Sequence, residues 1–178
     1  MKQPLVQMRG IVKKFPGVVA NDHVDLDLFA GEIHALLGEN GSGKSTIMSI
    51  LAGLYKPDAG EILVDGAPAD FGSPRDAIDA GIGMVHQHFM LVEPFTVAQN
   101  IQLSERDGAF LLSDAAIRQE IKAFETRFGL AVDPDAPVWQ LSVGEKQRVE
   151  IVRMLYRGSR VLILDEPTAV LTPQETAE

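Results

Sequence analysis

Cysteine is absent from the 178 residues. Its absence excludes disulfides, thiol nucleophiles and thiolate metal ligands, and fits a cytosolic setting. Basic charge is in short supply, 16 Lys and Arg against 25 Asp and Glu for a net charge of -9, which opposes a general grip on a nucleic-acid backbone. No apolar run reaches the roughly 18 residues of a membrane-crossing helix. The opening Met1-Lys2-Gln3-Pro4 lacks the apolar segment of a signal peptide. Also missing are internal repeats, low-complexity stretches and a third ligand near His86 and His88, so the two histidines make a poor metal pair. What remains is a chain of about one domain's length, with 46% apolar residues to build a core.

The most informative stretch is 38–46, Gly-Glu-Asn-Gly-Ser-Gly-Lys-Ser-Thr, which fits G-x-x-x-x-G-K-[ST] with Gly38, Gly43, Lys44 and Ser45 in place. An apolar run at 33–37 precedes it as a buried strand would. Ile47, Ile50, Leu51 and Leu54 follow at helical spacing, with Gly53 and Pro57 as stops. Between strand and helix, glycines allow backbone N–H groups to face a polyphosphate, the helix start adds positive potential, Lys44 reaches the terminal phosphates and Ser45 offers a hydroxyl to a divalent cation.

Ahead of this loop, residues 5–30 predict antiparallel strands, because Val24, Leu26 and Leu28 alternate with Asp25 and Asp27. Phe15 stands just before a turn and reads equally as a core ring or an exposed platform. Downstream, 57–60 is a turn, 61–66 a short strand, and Ser73-Pro74 opens a helix to Ala80 with Ser73 as N-cap. Residues 81–85 form the next candidate strand. From Thr96 to Arg157 the pattern is helical. Thr96 and Ser113 are candidate caps, Ile117, Ile121, Phe124 and Phe128 form an apolar stripe ended by Gly129, and 133–137 is a rigid loop. Ser142 and Glu145 have capping-box spacing, so an ordinary helix start accounts for them when taken alone. At 161–164 four apolar residues lead into Asp165 and Glu166. In P-loop proteins a carboxylate at a strand tip holds the cation, and a second acid beside it can deprotonate an attacking water.

Taken together, the motifs resemble the nucleotide-binding domain of ABC transporters across essentially the whole chain. The resemblance implies an α/β fold, a P-loop NTPase (RecA-like) core with an antiparallel β subdomain and an inserted α-helical subdomain at about 90–157, within a single ATPase domain spanning 1–178. It makes Phe15 the adenine-stacking ring and places the nucleotide phosphates on Gly38, Glu39, Asn40, Gly41, Ser42, Gly43, Lys44, Ser45 and Thr46. Gln87 becomes the residue joining the catalytic site to the helical subdomain, and Ser45, Gln87 and Asp165 the Mg2+ site. Glu166 becomes the general base, with Lys44 and Gln87 assisting catalysis. Ser142 and Gly144, in the signature 141–145, act in trans on ATP held by a second domain, and 169–172 is the D-loop.

Stretches 83–92 and 166–175 and the signature Leu-Ser-Val-Gly-Glu resemble the first ATPase half of bacterial importers for simple sugars and nucleosides. That implies a cytoplasmic ATPase on the inner face of the membrane, hydrolysing ATP with Mg2+. Its partners would be a second nucleotide-binding domain in the same or another chain, a permease docking near the stretch Phe89 to Phe95, and indirectly a solute-binding protein, with no nucleic acid. Val143 and Glu145 replace the usual Gly and Gln of the signature, and Thr172 replaces the usual D-loop Asp. The family's switch histidine and the central strand carrying it lie downstream of Glu178, so a longer parent protein is expected, with weak or no hydrolysis by these residues alone. Two rival classes are a soluble ABC ATPase of translation or DNA repair and a non-catalytic nucleotide-binding piece. The acidic balance and the short interval between Lys44 and Ser142 disfavour the first; Lys44 and Glu166 disfavour the second for the parent protein.

Overall fold

The computed structural model describes residues 3–86, 89–103 and 114–167. Two compact units divide the chain, Met1–Ile82 and Gly83–Glu178.

The first unit is built on an antiparallel sheet of order β2-β1-β3-β4, made of β1 (Val6–Phe15), β2 (Val18–Leu28), β3 (Ala59–Val64) and β4 (Ala67–Ala69). β1 runs down the middle, pairing Met8 with Leu26 on one side and with Ile62 on the other. Met8, Ile11 and Ile62 are accordingly buried, while Asp25 is exposed and Val24, Leu26 and Leu28 half-buried. Asp25 fits the one-wet-face pattern expected of this alternation, whereas Asp27 is half-buried like its apolar neighbours because it pairs with Arg9. Helix α1 (Lys44–Leu51) buries Ile47, Ile50 and Leu51. It ends before Leu54, which lies past Gly53 at a left-handed φ of 72° and is exposed.

One expectation fails in this unit and another holds in position only. Residues 33–37 form no strand: Ile33 is 101% exposed and Leu37 89%, and neither described sheet includes them. An apolar strand of this kind is buried only by neighbours on both edges and both faces; the antiparallel sheet next to it in sequence is already ordered without it. In helix α2 (Pro74–Asp79), Ser73 takes the N-cap position but makes no side-chain cap. Its hydroxyl instead donates to Asp76, whose carboxylate also accepts the Gly72 N–H at 2.9 Å.

The second unit holds a two-stranded sheet of β5 (Ile82–Val85) and β6 (Val161–Leu164), with β5 starting at the boundary between the units. Between these strands in sequence come α3 (Val97–Gln102), α4 (Asp114–Phe128) and α5 (Val143–Tyr156). Ile101, Ile117, Ile121, Val138, Val149 and Val152 form their shared core. Thr96 and Ser142 both make complete capping boxes, with Gln99 and Glu145 respectively, so local chemistry starts α3 and α5 where the sequence predicts. Phe128 departs from its predicted place in the core. It is exposed, stacks on Phe124 with centroids 6.0 Å apart, and lies under the Arg127 guanidinium, because the last turn of α4 extends past the packed layer. The candidate cap Ser113 lies outside the described residues.

Candidate functional site

In the first unit the phosphate-loop residues form an irregular, exposed stretch leading straight into α1. Gly43 caps the helix at φ 89°, and neither a side-chain cap nor an acidic residue occupies the first turn. The free N–H groups of that turn are unneutralised positive potential, which a phosphate would satisfy. Lys44 folds back over the loop, donating from Nζ to the carbonyls of Gly38 at 2.7 Å and Glu39 at 2.8 Å. Ser42 N–H closes a turn on the Glu39 carbonyl at 3.2 Å, with Gly41 between them at φ 83°. Ser45 is exposed at the start of α1, and Asn40 is exposed at the loop tip. Thus the loop's carbonyls are tied together by its own lysine while its N–H face and the Ser45 hydroxyl stay accessible.

Sequence reasoning overlooked what anchors this loop. Asn21, on β2 and buried, donates from Nδ2 to the Gly43 carbonyl at 3.2 Å. A Cβ on Gly43 would fall 2.2 Å from the Ala20 carbonyl oxygen and 2.7 Å from Asn21 Nδ2. The last glycine of the loop is therefore required by close approach to β2 as well as by its left-handed φ. The detectable signal was a polar residue at the break in the alternation of β2.

Phe15, at the end of β1, is half-buried, so a ring face remains available. Tyr55 meets it edge-on with centroids 5.5 Å apart, and Lys13 Nζ lies 5.7 Å from its centroid. Asp58 braces the approach to Phe15 by accepting the Lys14 N–H at 2.6 Å and Lys13 Nζ at 3.3 Å. That backbone bond, followed by the Lys13 contacts, holds the Asp58 carboxyl below the usual carboxylate range. Tyr55 and Asp58 were not foreseen, since nothing local links them to Phe15.

In the second unit, Asp165 and Glu166 follow β6 directly. Asp165 is half-buried and donates its N–H to the Val85 carbonyl at 3.4 Å, which ties the end of β6 to β5. Glu166 is exposed and adopts a left-handed φ of 47°, an uncommon conformation for a residue with a Cβ and one that recurs at functional sites. His86, Phe89, Gln147, Asp165 and Glu166 line one small cleft, and Gln147 Nε2 donates to the Pro167 carbonyl at 3.0 Å. At the start of α5, Ser142 Oγ accepts the Glu145 N–H at 3.2 Å and a Glu145 oxygen accepts the Ser142 N–H at 2.8 Å. The Ser142 hydroxyl proton is not used in this box. Gln87 and the D-loop residues 169–172 lie outside the described residues.

As candidate cation donors, the Ser45 hydroxyl and the Asp165 carboxylate are hard oxygen ligands. Among the described residues no three His, Asp or Glu side chains gather. Each donor by itself is of the kind that Mg2+ accepts, an ion that keeps several waters and completes its shell with phosphate oxygens.

Comparison with known proteins decides the family. The ABC transporter family matches residues 21–169. The chain belongs to that family. It is 53% identical over 98% of its length to a guanosine import ATP-binding protein of Bacillus subtilis, and 49% identical over 98% to a glucose import ATP-binding protein of Haloferax volcanii. The chain spans about a third of the length of these curated relatives, 34% and 37%. Among solved structures it resembles cbiO1 of Clostridium perfringens, part of the ABC transporter complex cbiONQ, with a TM-score of 0.82 and 31% identity, covering 99% of this chain and 70% of that one. The P-loop NTPase fold read from the motifs is thus the fold of the chain. No helix of the described residues is long and apolar enough to cross a membrane.

Proposed function

We propose that this chain is the nucleotide-binding part of an ATPase that powers a membrane importer for simple sugars or nucleosides, working on the cytoplasmic face. The observation carrying this reading is the phosphate loop, where an uncapped helix start behind Gly43 and a lysine poised over the loop fit the phosphates of a nucleoside triphosphate. The printed activities of the relatives, guanosine and glucose import, support the transport class.

In this reading residues 90–157 are a helical subdomain inserted into one ATPase domain. Phe15 stacks the adenine, braced by Tyr55. The loop from Gly38 to Thr46 holds the phosphates, with Lys44 exchanging the Gly38 and Glu39 carbonyls for phosphate oxygens. A divalent cation held by Ser45, Asp165 and Gln87 would neutralise charge on the transferred phosphoryl group. Glu166 takes the proton of the attacking water; its exposed carboxylate at the end of β6 is free to do so. Ser142, through its unused hydroxyl proton, and Gly144, through its backbone N–H, face the γ-phosphate of ATP bound to a second domain. Two domains thereby close around ATP and separate after hydrolysis, which moves a permease seated near residues 89–95.

Phosphate release by the protein with its membrane subunits, with solute uptake into vesicles measured alongside, tests this reading. ATP-dependent uptake of a pentose, hexose or nucleoside is the expected result. Hydrolysis bound instead to ribosomes or DNA, with no membrane partner, would overturn it.

A further inference from the structure

Residues 89–95 belong to no sheet or helix, yet Met90 and Val92 have both of their backbone polar groups bonded, as alternate residues of a strand do. Met90 donates its N–H to Glu150 Oε1 at 2.8 Å and accepts Arg153 Nη1 on its carbonyl at 2.7 Å. Two residues on, Val92 donates its N–H to Asn100 Oδ1 at 2.7 Å and accepts Asn100 Nδ2 on its carbonyl at 3.0 Å. Side chains of α5 and α3 thus serve as the neighbouring strand. The grip continues with Lys146 on Glu93 at 3.0 Å, the Trp139 N–H on the Glu93 carbonyl at 3.2 Å, and the Val138 N–H on the Phe95 carbonyl at 2.9 Å. These last contacts come from just before and just after Ser142.

The centre of this grip is costly. Glu150 and Arg153 pair at 2.7 Å with side chains only 4% and 15% exposed, and a buried ion pair of this kind is usually no more stable than an apolar pair of the same volume. What the pair supplies is direction: one carboxylate and one guanidinium, fixed to each other and one turn apart on α5, hold both backbone polar groups of a single residue, Met90. Meanwhile Met90 is 68% exposed, and Val92 and Phe95 are about two-fifths exposed, 40% and 39%. The stretch therefore shows an apolar outer surface while its backbone is fastened to the helix that begins at Ser142.

We propose that Glu150 and Arg153 are positioning residues that make residues 90–95 and α5 move as one body, so that displacement of the stretch by a membrane partner shifts the Ser142 helix start. The inference rests on the docking reading of residues 89–95 given above. The pair is bonded to Met90 and to itself, so it acts on the coupling of hydrolysis to transport, and basal hydrolysis without a membrane partner does not depend on it.

The test uses the protein with its membrane subunits in vesicles, compared with the same protein free of them. Arg153→Met and Glu150→Leu are expected to lower solute uptake per ATP hydrolysed about fivefold or more, while hydrolysis without membrane subunits stays within about twofold of wild type. Arg153→Lys, which keeps the charge and is the milder change should the others fold poorly, recovers part of the ratio. An unchanged ratio in every folded variant overturns the relay, as does an equal loss of basal hydrolysis and uptake, which would make the pair a fold support only. The docking reading is checked separately with Phe95→Ser. If that variant retains its membrane subunits on purification as well as wild type does, docking at 89–95 fails and the relay loses its input.

Discussion

Asn21 holds the carbonyl of Gly43 from 22 residues earlier in the chain, and through it joins the strand that follows Phe15 to the start of the phosphate loop's helix. Because Phe15 pairs with Val18 and Lys13 with Asn21 in the same hairpin, the aromatic ring and the phosphate loop are mounted on one rigid piece. Asn21 Oδ1 is buried with no hydrogen-bond partner among the described residues, so the amide is retained at a cost in desolvation. Asn21→Ala should therefore weaken ATP binding by about tenfold, the equivalent of one buried hydrogen bond, with only a small change in melting temperature. Titration calorimetry and thermal denaturation on the same sample check both halves of that expectation.

Gly43→Ala should be far more damaging than Gly41→Ala. The added methyl at position 43 meets the backbone of Ala20, whereas at position 41 it meets open space, although both residues carry left-handed φ angles. Backbone strain alone costs about 1 kcal/mol; the clash adds to it only at 43. A difference in unfolding free energy between the two variants, measured in urea, is the readout, and equal losses would contradict the close approach to β2.

Glu166→Gln should leave ATP binding near wild type and reduce phosphate release by about 10²- to 10⁴-fold, the usual contribution of a general base. Phosphate release at saturating ATP, with binding measured in parallel, decides it. Undiminished turnover would remove Glu166 from the role of base.

Glu145 places a carboxylate at the start of α5, where the reading above puts a second domain's γ-phosphate. Glu145→Gln preserves both bonds of the capping box, since an amide oxygen can still accept the Ser142 N–H, but it removes the negative charge. Folding stability should drop slightly, by about 0.5 kcal/mol from the lost helix-start interaction, while ATP-dependent dimerisation strengthens several-fold. Sedimentation with and without ATP measures the second effect. A weaker dimer would show that Glu145 aids the contact.

Burial pushes the Glu150 carboxyl above its ordinary value of 4.5, and this outweighs the opposing pull of Arg153 and the Met90 N–H. The folded state therefore favours the protonated acid relative to the unfolded chain. Its stabilising contribution is complete below 4.5 and is lost as the pH rises through the raised value. Glu150→Gln does not titrate, so the stability of wild type relative to this variant should decline as the pH rises above 4.5 and through the raised value. Urea unfolding of both proteins across that range tests the sign; a difference that grows with pH would mean that the Arg153 pairing dominates.

Much of this molecule was legible in its sequence because the relevant physics is local. The loop at 38–46, the two capping boxes at Thr96 and Ser142, and the Asp165-Glu166 pair after an apolar strand depend on residues within a few positions of one another. Fixed spacings in the chain therefore become fixed geometry in space. The fold class followed because several such motifs occur in one order.

Tertiary structure alone decided the rest. Asn21 on Gly43, Tyr55 on Phe15, and Glu150 with Arg153 on Met90 link residues far apart in sequence, and no period or spacing marks them. Residues 33–37 show the same limit from the other side. Their apolar run predicts a buried strand, yet burial is conferred by neighbours, and the described sheets bring none to them. Sequence by itself determined which chemistry the chain carries and where its helices begin. Packing determined which side chains aim that chemistry, because a hydrogen bond or a ring contact depends on proximity in space, and proximity belongs to the fold.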